Sequence, residues 1–373
     1  MSESDVTRDG VRGGRPDREA TTGAVRDDGR QGGRRRRGGG GRGARGERAM
    51  VPDAEFRSYY GRSILNPPVW ESRDIAGYLF LGGLAGASSV LGAGAHVTGR
   101  PALARSTKLA AVAAGALSLA ALVHDLGRPM RFLNMLRVFK VTSPMSVGSW
   151  LLAGYVPLAG AAAASAVSGR LPRIGAAATA GAAALGPAVA SYTAALISDT
   201  AVPAWHDGHR EMPYVFVGSA ATAAGGLGLV AAPLREHGPA RALAAMGVGT
   251  ELAAFELMER RMGMPGEPYS QGRGGTYVRA GKILSVAGAV GAVLGRRSRL
   301  AGAVSGGALL AASAATRWGI FHAGLQSAND PKYTVVPQRR RLEEGRPATG
   351  TSTTTSSPSR TAASSTGEPR TDA

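Results

Sequence analysis

Residues 75–99 read IAGYLFLGGLAGASSVLGAGAHVTG, a stretch without Asp, Glu, Lys or Arg. A helix of that length crosses a hydrocarbon core about 30 Å thick. Working outward, uncharged runs return at 109–124, 146–169, 174–198, 212–234, 242–250 (continuing past Glu251 to 258), 283–295 and 300–316, with polar connectors between them. About eight such helices imply an integral membrane protein. A soluble Ala-rich bundle is the alternative, but runs like these leave a soluble helix no polar face. The last two runs are the shortest. All are rich in Ala and Gly, which makes each only mildly hydrophobic and lets helices approach closely in lipid.

The mean hydropathy of −0.05 hides this pattern, because polar tails dilute an apolar middle. Residues 1–55 are rich in Arg and Gly, and residues 341–373 in Ser, Thr and Pro. Such compositions bury too little apolar surface to offset ordering entropy, so both tails are expected to be disordered. The net charge is +18, from 44 basic and 26 acidic residues. The basic residues mostly flank apolar segments, where they serve membrane lipid and topology. The RRRR at 34–37 lacks interleaved aromatics, so no nucleic acid is expected as a partner. The chain has no cysteine, which excludes thiolate-held iron–sulfur clusters, covalent haem and disulfides. The first apolar run lies too far in, and is too long, for a cleaved secretory signal.

With eight spans, both tails and the even-numbered connectors share one membrane face, here the N face. Tyr78, His124, Asp125, Tyr192, Asp199, Glu251, Glu256, Glu259, Arg317 and His322 all fall toward it. The opposite face shows short basic turns around Arg100 and Arg105, Arg170 and Arg173, Arg235 and Arg241, and Arg296 to Arg299, with His96 and Glu236 as the main exceptions. Ionisable groups inside a membrane are costly and usually mark a site or a proton path. Charge at helix ends is commonplace, so Asp125, Asp199 and Glu259 carry less weight than Glu251 and Tyr192. Glu256 and Arg260 have the spacing of a simple i,i+4 ion pair. Basic residues balance closely between the faces, which leaves orientation open.

In 128–140, Arg131, Asn134, Arg137 and Lys140 fall on one side of a helical wheel and Phe132, Leu133, Met135, Leu136 and Phe139 on the other. That pattern reads as a short helix lying in the interface. No bound metal or haem is expected. His206-x-x-His209 alone is a weak metal signal, and only His124 and His322 suit a haem axial pair.

Several separate motifs, in order, resemble the NrfD/PsrC family of membrane subunits. They are Tyr59-Tyr60-Gly61-Arg62, Pro67-Pro68-Val69-Trp70, Tyr78-Leu79-Phe80-Leu81-Gly82-Gly83-Leu84-Ala85-Gly86, His124-Asp125-Leu126-Gly127-Arg128-Pro129, Ser143-Pro144-Met145-Ser146, Gly148-Ser149-Trp150, Tyr192-Thr193, Thr200-Ala201-Val202-Pro203 and Ser327-Ala328-Asn329-Asp330-Pro331-Lys332-Tyr333-Thr334. The resemblance covers roughly residues 58–340 and neither tail. The expected fold is all-α and polytopic, with about eight helices packed as two four-helix bundles over residues 56–340.

The resemblance implies a membrane anchor of an iron–sulfur molybdoenzyme complex, of the polysulfide reductase or formate dehydrogenase kind, in the cell inner (cytoplasmic) membrane. Such a subunit holds no haem and no iron–sulfur cluster. It exchanges electrons between a quinone (menaquinone or ubiquinone) and a four-cluster ferredoxin-like iron–sulfur subunit, which contacts a molybdopterin catalytic subunit. It implies quinone contacts at Tyr78, which replaces a family histidine, at Tyr192 and at Asp125. Proton relay falls to Asp125, Asp199, Glu251 and Glu256, and partner docking to Trp70, Arg128 and Arg131. A membrane transporter and a purely structural anchor remain the rival classes. No inverted repeat or Pro/Gly-broken helix pair of the transporter kind is evident.

Overall fold

The computed structural model describes residues 6–7, 10–11, 63–66, 68, 70–125 and 130–345. The RRRR run, Tyr59–Arg62, Leu126–Pro129 and most of both tails lie outside these residues. A short antiparallel ladder pairs β1 (Val6–Thr7) with β2 (Gly10–Val11). The helices are α1 (Ser72–Val97), α2 (Pro101–Asp125), α3 (Arg131–Met135), α4 (Pro144–Ser168), α5 (Pro172–Ser198), α6 (Pro203–Asp207), α7 (Met212–Ala231), α8 (His237–Met262), α9 (Gly272–Leu294), α10 (Arg299–Asn329) and α11 (Lys332–Glu343).

Local chemistry sets the boundaries. Four helices, α2, α4, α5 and α6, begin on proline, whose fixed φ suits a first turn that has no use for its amide. Ser143 and Ser298 cap α4 and α10 by accepting the amides of Ser146 and Ala301 at 3.4 and 3.2 Å. Gly169, at φ 67°, ends α4 in the left-handed conformation that glycine adopts without strain.

Among the described residues, six helices are long and apolar enough to cross a membrane: α1, α2, α4, α5, α7 and α9. The protein is therefore a multi-pass membrane protein by length and composition. The two other long helices, α8 and α10, fall short of that apolarity and carry Glu251 and Arg317 in their interiors. Helix α1 packs on α2 and α5, and α4 on α5 and α2. Helix α7 packs on α8 and α10, and α9 on α10. Contacts of α1 with α7 and α10, and of α5 with α7, join the two sets.

Small residues allow this closeness. A Cβ at Gly86 of α1 would meet the carbonyl of Gly186 on α5, and one at Gly186 would meet that of Gly86. Gly226 and Gly306 oppose each other in the same way between α7 and α10. Backbones meet at such points only if both residues lack a side chain. Outward, Leu117, Ile174, Ile283, Val290 and Val304 are exposed, as lipid-facing positions are.

Two boundaries depart from expectation. Helix α9 starts at Gly272 and α10 continues to Asn329, so both run well beyond their charge-free cores. Lys282 explains part of this: it pairs with Glu259 at 2.7 Å and lies 4.6 Å over the Phe255 ring, so its charge is satisfied inside the fold. Of the amphipathic segment, the described part 130–140 is helical over Arg131–Met135 and not beyond. Beyond it, the Ser146 hydroxyl accepts the Lys140 amide and donates to the Val138 carbonyl, both at 3.0 Å, which holds that stretch in a turn.

Candidate functional site

Helices α1 and α5 bring Tyr78 and Tyr192 together. Their hydroxyls hydrogen-bond to each other. Their rings meet edge to face, with centroids 6.5 Å apart and planes at 75°. Tyr78 is buried and Tyr192 half-buried. Gly148 on α4 makes room: a Cβ there would run into the Tyr192 ring. On the other side, Ser118 of α2 donates to the Tyr78 carbonyl at 3.2 Å. The neighbouring helices α2 and α4 thus fix the pair in place.

One turn earlier on α1, about 6 Å along the axis, Asp74 accepts His124 Nδ1 at 2.7 Å. Asp125 feels the charges of Asp74, His124 and Glu71. The structure therefore groups Asp125 with a charged cluster around Asp74, whose position on α1 is one turn before Tyr78.

The remaining expected residues are spread out. Asp199 caps the C-terminus of α5 and is exposed. Glu256 is exposed and paired with Arg260 at 2.8 Å. Glu251 is buried between α7, α8 and α10, where Thr316 donates to it at 2.7 Å and Thr222 at 3.4 Å. Trp70 is half-buried and stacks on Trp205, centroids 5.9 Å apart and planes at 15°. Arg128 and the side chain of Arg131 lie outside the described residues. His206 and His209 have rings 5.9 Å apart, and among the described residues no group of three His, Asp or Glu is placed to hold a metal.

Near Glu251 lies a residue for which the sequence gave no site role. Arg317 is 0% exposed. Its Nη2 donates to the Phe216 carbonyl at 2.7 Å, and the guanidinium sits 3.7 Å from the Phe216 ring centroid. Among the described residues its Nε and Nη1 have no hydrogen-bond partner. It also reaches α1: a Cβ at Gly83 would stand 3.3 Å from Nη2. The signal in the sequence is the isolated arginine at the end of an apolar run.

At the membrane face, Arg261 grips Glu211 with two bonds, Nε to Oε1 at 2.7 Å and Nη2 to Oε2 at 2.6 Å. These bonds hold the Glu211 carboxyl below its ordinary value.

The fold and the buried polar groups thus define a polytopic helical membrane protein with paired phenols near one face. A family model described as polysulphide reductase, NrfD, matches residues 64–245. Over that stretch the chain belongs to the NrfD family, membrane subunits of polysulfide reductase-like complexes. No curated protein matches it.

Proposed function

We propose that this chain is the quinone-reactive membrane anchor of an iron–sulfur molybdoenzyme complex in the cytoplasmic membrane. On this reading all eight long helices cross the bilayer, as two four-helix bundles, α1, α2, α4 and α5 in one and α7 to α10 in the other. The observation that carries the reading is the Tyr78–Tyr192 pair: two phenols on facing helices, one of them half-buried.

A quinone carbonyl needs a hydrogen-bond donor in an apolar setting, and a phenol supplies one without introducing charge. The donor set fits, because among the described residues each hydroxyl has only the other as side-chain partner and is free to turn to a carbonyl. When bound, a quinone supplies two-electron, two-proton chemistry. Tyr192 and Tyr78 hold and orient the ring. Asp125, with Asp74 and His124, exchanges protons with water at the face one turn away. Glu251 forms a deeper polar site, while Glu256 and Asp199 sit at the aqueous boundary. Electrons pass to a four-cluster ferredoxin-like subunit docked on the face around Trp70, and from there to a molybdopterin subunit.

The test is quinol turnover by the purified complex. Tyr192→Phe is expected to lower it about tenfold or more, the worth of one lost donor bond near 1.4 kcal/mol, with the complex still assembled. Asp125→Asn should slow it too. Full turnover in both variants removes this site assignment. Absence of any cysteine-rich partner or extractable quinone in the purified material removes the reading itself.

A further inference from the structure

Between α1, α2, α4 and α5 lies a small cavity, lined by Ser89, Lys108, Ala111, Ala159, Ala162, Thr179 and Ala182. It offers about 10 Å³ for the centre of a water molecule, close to the space one water needs. Lys108 is 6% exposed and stands well inside α2, which starts at Pro101. Its stem lies along Gly92 of α1, where a Cβ would come within 3.5 Å of Lys108 Cγ. Among the described residues it forms no ion pair and no hydrogen bond to another side chain.

The hydroxyls beside it are ordered by their own bonds. Tyr155 donates to the Ala85 carbonyl at 2.6 Å. With its proton so used, it accepts from Ser89, 2.7 Å away. Ser89 has then given its proton to Tyr155 and turns only lone pairs to other donors. Thr179 likewise donates to the Gly175 carbonyl at 2.6 Å. The cavity is therefore lined by acceptor oxygens, and Lys108, which has no counter-charge among the described residues, forms part of its wall. An ammonium without an acceptor is costly inside a membrane protein.

We infer that this cavity is a hydrated chamber, open to the face that carries Arg100 and Arg105, in which Lys108 holds water against the hydroxyl oxygens of Ser89 and Thr179. That face is opposite to the one nearest Tyr78 and Tyr192. The polar groups beyond Ser89 end with Tyr155 at the Ala85 carbonyl, seven residues and about 10 Å along α1 from Tyr78. The chamber is therefore separate from the paired phenols and stands without the quinone reading.

The chain has no cysteine, so single introduced thiols report alone. The probe is the water-sized silver ion, which replaces a thiol proton in hydrated places. The full chain with Ala162→Cys, in oriented vesicles, should react at least tenfold faster than Ala223→Cys in the dry core between helices. It should react when silver is added on the side that labels Arg100→Cys. Adding Lys108→Met should slow the reaction at least tenfold, although removal of a repelling charge alone would speed it. Reaction no faster than at Ala223→Cys, reaction only from the other face, or a rate that Lys108→Met leaves unchanged or raises would overturn the chamber. If Lys108→Met does not assemble, the two comparisons of site and of face decide.

Discussion

The helices α1, α2, α4 and α5 bury their polar groups differently from α7 to α10. In the first set the buried polar groups are neutral hydroxyls, among them those of the pairs Tyr78 with Tyr192 and Tyr155 with Ser89, and Lys108 is the exception. In the second set a carboxylate and a guanidinium are both enclosed, and the guanidinium is only partly hydrogen-bonded. A neutral pair makes only local bonds, to its own members and to a nearby carbonyl such as that of Ala85, so breaking it affects little else. An enclosed charge depends on every other charge and dipole around it, because low dielectric carries its field far.

The largest test of that contrast is Arg317→Met. It removes the charged bond to the Phe216 carbonyl and the contact with the Phe216 ring, and should cost about 1.5–3 kcal/mol, read as thermal unfolding in detergent. Glu251→Gln tests whether the two enclosed groups depend on each other: if they do, the double variant should lose less than the sum of the single losses. Strictly additive losses would show that the two charges do not depend on each other.

The next effect lies at the membrane face. Glu211→Gln removes the two-bond grip of Arg261 and should cost about 1–2 kcal/mol near neutral pH, as for a charged hydrogen-bonded pair partly open to water. Because folding lowers the Glu211 carboxyl, its stabilisation is complete above the ordinary glutamate value of about 4.3. It fades as pH falls from there through the depressed value. Melting curves of the two proteins should therefore converge in acid, and a gap that persists there would assign the stability to packing.

The smallest effect belongs to the neutral pairs. Ser89→Ala removes the single bond to Tyr155 at an expected cost of about 0.5–1.5 kcal/mol. A loss as large as that of Arg317→Met would erase the distinction between the two helix sets.

The helices were legible because an uncharged run of bilayer length is seldom anything but a membrane helix. Their ends were less so. A charge-free run marks the stretch of a helix that tolerates lipid, not the stretch that is helical. Lys282 and Arg317 lie within helices because a neighbouring ring, carboxylate or carbonyl receives them, and that partner is distant in sequence. Lys108 was illegible because it stands at the edge of an apolar run, where it resembles a flanking charge, although the helix has begun at Pro101. Tyr78 and Tyr192 were readable as polar residues at similar depth, but their bond required the packing of α1 on α5. Asp125 was readable as a helix-end acid, and its company of Asp74 and His124 followed from α1 lying against α2.

On the proposed quinone reading, the bond between Tyr78 and Tyr192 also works as a sorting rule. One hydroxyl donates and the other accepts, so one O–H of the pair is left to offer, and only a molecule that carries an acceptor can take it. Acyl chains carry none and gain nothing there, so lipid at vast excess is turned away by a rule about hydrogen bonding and not by size. Either tyrosine replaced by phenylalanine leaves a single hydroxyl and should weaken the sorting along with the grip.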